Sequence, residues 1–180
     1  MKKIDAFELF YNMVENESLR RHCLSVSLVM EAYAAKFGED PEEWAVAGLL
    51  HDADYEKFPE EHPNVIVKQL REMGEEKIAH AISAHYTKWG VPYETLLDKA
   101  LLACDELTGF VVAAALIRPT KIDGLSVKSV RKKLKNPKFA AGVERDEVYK
   151  GIELLEVEPA EHIQFIIDVL NEHKEVLNLV

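Results

Sequence analysis

Apolar residues recur at spacings of three and four through most of this chain, while runs of alternating β-branched residues bounded by turn signals are nearly absent. A period near 3.6 gathers such residues onto one stripe of a helix, whereas a half-buried strand needs a period of two. The pattern predicts an all-α protein. Helices are expected at about 3–14, 18–37, 41–51, 63–73, 75–86, 95–117, 126–135, 145–156 and 159–177. Gly38 and Gly74 read as helix stops, and Asp40-Pro41 supplies an N-cap and a first-turn proline for the third helix. With 180 residues, 48% of them hydrophobic, the chain can bury a core without staples. No repeat, low-complexity tract or linker divides it.

Several ionisable residues fall on the apolar stripes rather than on the wet faces. His22 continues the line of Val26, Met30 and Tyr33, and His51 lies on the line of Trp44, Ala47 and Gly48, with Asp52 beside it. His85 follows Ile78, Ala81 and Ile82. Asp105 sits between Leu101-Leu102 and Val112 in the segment LLACDELTGFVVAAALI. Burying an ionised Asp costs several kcal/mol unless it is paired, and no Lys or Arg lies within one helical turn of Asp105. Alone, a histidine on an apolar face is usually a hydrogen-bonded core residue, and a His-Asp pair can simply end a helix, where a cation suits the dipole. Their coincidence on separate helical positions points instead to a metal. Imidazole nitrogen with carboxylate oxygen suits Mn, Fe, Co, Ni or Zn. Cys23 and Cys104 have no CxxC spacing, which argues against a thiolate zinc site or a disulfide framework.

The pattern His22, His51-Asp52 and Asp105, carried by the strings AGLLHD and CDELTG, resembles the HD superfamily of metal-dependent phosphohydrolases over roughly residues 20–110. The resemblance implies a compact all-α bundle in which these four residues converge on one divalent transition metal. A subset of the superfamily adds a His-Pro after the doublet and a His in an A-I-x-x-H segment, which bind a second metal bridged by the doublet Asp. His62-Pro63 and Ala81-Ile82-Ser83-Ala84-His85 match both, whereas Tyr86 stands where several dinuclear members carry a further His. One or two metals per chain are therefore implied, within a single domain over 1–180 whose superfamily core covers about 18–117, with the helices of 126–180 packed on it. The implied activity is hydrolysis of a phosphoester, a nucleotide or small phosphorylated metabolite, by a metal-activated water with Asp52 at its centre. A di-iron oxygenase of the same superfamily and a metal- or nucleotide-binding module without turnover are the alternatives. Asp54, two residues after the doublet, is expected either to orient a ligand histidine or to protonate the leaving group.

Charge is distributed unevenly. The net charge is −10, yet Arg118 to Lys138 carries eight basic residues against Asp123 alone, a local +7 that leaves −17 elsewhere. An anionic substrate beside a carboxylate-rich metal site needs positive compensation, so Arg131, Lys132 and Lys133 are expected to contact substrate phosphate. Nucleic acid is a poor candidate partner, because no aromatic pattern interleaves these cations. The longest apolar run, FVVAAALI, is far short of a bilayer span, and the N-terminal MKKIDAFELFYNM lacks an apolar targeting segment. A soluble, cytoplasmic protein without a membrane partner is expected; nothing in the sequence signals an oligomeric state. His162 and His173 fall off the apolar line of Ile163, Ile166 and Ile167, which predicts exposed side chains without a role.

Overall fold

Residues 1–180 are described by a computed structural model. Nine α-helices follow one another: α1 (Lys3–Met13), α2 (Glu17–Phe37), α3 (Pro41–Leu50), α4 (Asn64–Glu72), α5 (Glu76–His85), α6 (Leu96–Leu116), α7 (Val127–Leu134), α8 (Arg145–Leu155) and α9 (Pro159–Glu172), with a 3₁₀ turn at Thr87–Trp89. There is no strand. The starts are set by side chains that satisfy orphan backbone N–H groups. Asn16 accepts from Ser18 and Leu19 at the head of α2, and Asp40 accepts from Glu42 and Glu43 at the head of α3, where Pro41 has no N–H to satisfy. Thr95 and Asp98 form a reciprocal capping box on α6. Gly38 ends α2 at φ 74°, a left-handed conformation that costs a residue without Cβ almost nothing. The last helix stops five residues short of its expected end, with 173–178 in turns.

The two longest helices, α2 and α6, pack against each other at the centre, with α3 laid along α2, α8 along α6, and α5 against both α6 and α3. Helices α7 and α9 close the far side. Two glycines permit the closest approaches. A Cβ on Gly48 would lie 2.8 Å from the Cα of Ser27, so α3 sits directly on the α2 backbone, and Ser27 bonds the carbonyl of Ala45 at 2.7 Å across the same contact. A Cβ on Gly151 would come within 2.5 Å of the Cα of Ala103, which brings α8 equally close to α6. One apolar cluster runs from Ala6 to Leu179 and includes residues of α7, α8 and α9 as well as the central pair. No helix is long and apolar enough to cross a membrane.

One expectation is overturned here. His162 is not exposed but buried, at 1% accessibility. Its Nδ1 accepts from the Tyr33 hydroxyl at 2.6 Å and its Nε2–H donates to the carbonyl of Ala103 at 2.9 Å. The apolar line of α9 alone could not reveal this, because both partners come from other helices. His173, by contrast, is partly exposed.

Candidate metal centre

Each residue of the predicted cluster reaches the same place from a different element. His22 projects from the first half of α2, His51 and Asp52 leave the C-terminal end of α3, His85 is the last residue of α5, and Asp105 sits mid-way along α6. His62 comes from the turns between α3 and α4. The tight α2–α3 contact at Gly48 brings His51 against His22.

Four donor atoms converge. His22 Nε2 lies 3.1 Å from His51 Nε2 and 3.0 Å from Asp105 Oδ1, and His51 Nε2 lies 3.2 Å from that oxygen. Asp52 Oδ2 is 3.6 Å from His22 Nε2 and 3.5 Å from His51 Nε2. Bonds of about 2.1 Å to one ion would set neighbouring donors about 3.0 Å apart at right angles and about 3.4 Å apart at tetrahedral angles, so these spacings fit one ion at their centre. The other oxygen of Asp52 faces away from this group. Its Oδ1 lies 3.3 Å from His62 Nε2 and 3.7 Å from His85 Nε2.

The far sides of the rings explain why the Nε2 atoms turn inward. His51 Nδ1–H donates to the Gly48 carbonyl at 2.8 Å, His85 Nδ1–H to the Ile82 carbonyl at 2.5 Å, and His62 Nδ1–H to Asp54 Oδ1 at 2.7 Å. Holding the proton on Nδ1 leaves the Nε2 lone pair as the donor toward the cluster, an arrangement that orients metal-binding histidines generally. The Nε2 atoms of His22 and His51 stand 3.1 Å apart beside two carboxylates, a concentration of acceptors that calls for positive charge between them. The electrostatics carry the same demand. Burial opposes charge on His51, yet Asp52 and Asp105 outweigh it and hold the imidazole up at about 10. Burial likewise opposes charge on Asp52 and Asp105, yet His51 leads the groups that keep both well below the usual carboxylate range. The donor set thus fits divalent metal chemistry.

Asp54 is fully buried and spends both oxygens on structure: one takes His62, the other the backbone N–H of Ile66 at 3.0 Å. Both oxygens are thus engaged, one of them on a candidate ligand histidine. Of the two expectations for this residue, the geometry favours the first. Tyr86 packs edge-on against His62, with ring centroids 5.5 Å apart.

A cavity of about 720 Å³ opens over the cluster, lined by His22, Asp52, His62, His85 and Asp105, with the fully buried His51 behind them. Arg131, Lys132 and Lys133 do not line it. Val130 and Leu134 hold α7 to the core, and this turns Arg131 and Lys132 to solvent while the Lys133 ammonium lies over the Phe139 ring at 4.8 Å. The cations on the cavity wall are Arg21 and Lys88, accompanied by Glu106, Glu144 and Glu147. Burial, followed by the charges of Asp105 and Glu147, pushes Glu106 up to about 8 despite a hydrogen bond from the Glu144 backbone. Arg21 and Glu106 could have been suspected from the sequence, since each adjoins a candidate ligand; Lys88, Glu144 and Glu147 left no signal there. His80 stands apart, its Nδ1 3.2 Å from Asp98.

Residues 19–109 match the HD domain family, and that span holds every candidate ligand. The chain belongs to the HD domain family. No curated protein and no solved structure matches it. Membership of the HD domain family makes a metal-dependent hydrolase-type function the family expectation, and the His and Asp groups of this HD domain are of the kind that could hold a divalent metal. The matched segment ends at Gly109 of α6, so one side of this HD domain's cavity, from Val112 to Glu147, is built by residues beyond the match.

Proposed function

We infer that this HD domain protein is a metal-dependent phosphohydrolase with a two-metal centre. His22, His51, Asp52 and Asp105 would hold one divalent ion, His62 and His85 a second, and Asp52 would bridge them; Mn, Fe, Co, Ni or Zn suits these donors. The observation that carries this reading is the orientation of Asp52. Its Oδ2 faces His22 and His51, and its Oδ1 faces His62 and His85. Ions bound there would act as Lewis acids toward a phosphoryl oxygen and lower the pKa of a coordinated water toward neutrality.

The chain's own groups supply the rest. Gly48, Ile82 and Asp54 fix the tautomers of three histidines, so no reorganisation of the donor set is needed during turnover. Arg21 is itself held, its Nε–H donating to the Leu177 carbonyl at 2.9 Å, which leaves its other N–H groups to bond a phosphoryl oxygen in the cavity. Val112, Leu116 and Val143 offer apolar surface to the organic part of a small phosphorylated substrate.

The test is release of phosphate from a panel of phosphoesters by protein stripped of metal and reloaded with Mn²⁺ or Co²⁺ under strict anaerobiosis. Turnover that depends on the added ion is expected. Failure across the panel, together with oxygen uptake by the iron-loaded form, would replace the hydrolase with an oxygenase.

A further inference from the structure

The cavity wall is lopsided in charge, and the asymmetry bears on what the phosphoester carries at its other end. Five carboxylates (Asp52, Asp105, Glu106, Glu144 and Glu147) line it against two cations, Arg21 and Lys88. The two aspartates belong to the metal cluster; the three glutamates do not. Glu106 accepts from the Glu144 backbone N–H at 3.1 Å and so anchors the start of α8 to α6. Glu147 takes the Thr87 hydroxyl at 2.5 Å on one oxygen, which fixes its carboxylate on the wall and leaves the second oxygen free. Glu144 has no side-chain partner. Neither Glu144 nor Glu147 is paired with a Lys or Arg, although Arg145 lies between them; that guanidinium is spent on the carbonyls of Ala140 and Val143.

Glu147 is half-buried on the wall and Glu144 is exposed at the cavity's edge, and such unspent carboxylate oxygens are matched by hydrogen-bond donors on a ligand. Counting charge limits the other end. Setting aside Glu106, which is half-buried and spent on the Glu144 backbone, four carboxylates face two cations, two positive charges short of neutrality; two divalent ions would supply four, a surplus of two. One phosphate dianion would be compensated in full, whereas the roughly four negative charges of a nucleoside triphosphate would leave about two unpaired against the glutamates. The cations of α7, which could have compensated them, face elsewhere.

We propose that the cavity takes esters of a single phosphate whose organic part presents hydroxyl or ammonium donors to Glu147 and Glu144, and that it discriminates against nucleoside triphosphates. The proposal rests on the hydrolase reading for the phosphate end of the ligand and concerns the opposite end. Binding of non-hydrolysable probes to the Mn²⁺-loaded protein tests it by calorimetry: pentylphosphonate, its 5-hydroxy and 5-amino derivatives, and the β,γ-methylene analogue of ATP. At least one donor-bearing probe is expected to bind about ten-fold more tightly than pentylphosphonate, a margin typical of one charge-assisted hydrogen bond. Which one it is separates hydroxyl from ammonium recognition. The ATP analogue should bind weakest. Glu147→Gln, and independently Glu144→Gln, should erase most of the donor preference and improve the relative binding of the ATP analogue, with metal content and pentylphosphonate affinity unchanged. Equal binding of all three phosphonates, or tightest binding of the ATP analogue, would overturn the proposal. Selective binding without phosphate release from any ester would instead sink the hydrolase reading alone, and no binding of any probe would sink both.

Discussion

Two buried sets of histidine lie within this bundle and differ in what their second nitrogen meets. His162 is complete: one ring nitrogen accepts from Tyr33 and the other donates to Ala103, so nothing further is required of it. His51, His62 and His85 are each satisfied on Nδ1 only, and their Nε2 atoms turn toward carboxylates and toward one another. The electrostatics separate them in the same sense. Burial pushes His162 down to about 4, so it stays neutral, whereas Asp52 and Asp105 overcome burial to hold His51 up at about 10. A histidine on an apolar stripe is thus a core residue or a ligand according to whether the fold supplies partners for both nitrogens.

The strongest way to break the contrast is at Asp52, the residue shared by both donor groups. Asp52→Ala should lose both metals and reduce phosphoester turnover to background, whereas His62→Ala should lose at most one metal. Elemental analysis of protein purified without chelator reads the result directly, and equal metal content in wild type and Asp52→Ala would end the assignment.

The other side of the contrast can be sharpened through stability. In the unfolded chain His162 takes up a proton near the ordinary histidine value of 6.5, but in the fold burial delays this to about 4. Its contribution is therefore fully present above pH 6.5 and is lost as the pH falls toward 4, by about 3 kcal/mol in all at about 1.4 kcal/mol per unit. His162→Gln should flatten the pH dependence of urea unfolding over that window relative to wild type, leaving metal content intact. Parallel curves for the two proteins would show that His162 is not held neutral.

The smallest effect is expected on the basic helix. Because Arg131, Lys132 and Lys133 lie off the cavity, the double variant Lys132→Ala, Lys133→Ala should keep kcat/KM within about two-fold of wild type even at low salt, where long-range attraction is strongest. A large loss there would mean that α7 approaches the substrate after all.

Much of the molecule could be read in advance, and the exceptions share a cause. All nine helices were legible because each buries a stripe whose period is intrinsic to its own segment, and several carried their own caps, such as Asp40-Pro41 and Gly38. The candidate ligands stood out because polar groups interrupted those stripes. The premature end of α9, the burial of His162 and the composition of the cavity wall were not legible. Each depends on a neighbour distant in sequence: Tyr33 is 129 residues from His162, and Thr87 is 60 residues from Glu147. Asp54 lay between these extremes. Its position beside the doublet suggested an orienting role, but only the fold closed both of its oxygens, on His62 and Ile66.

The sequence by itself determined the helices, the candidate donor residues and the concentration of positive charge, because periodicity, residue chemistry and local charge are properties of contiguous segments. Tertiary structure alone decided which oxygen of Asp52 faces which histidines, that His162 is a core residue, and that Arg21 and Lys88 rather than the basic helix line the cavity. Helical period fixes a side chain's direction relative to its own axis, whereas a partner's identity depends on how separate axes are packed, and here close contacts at Gly48 and Gly151 set that packing.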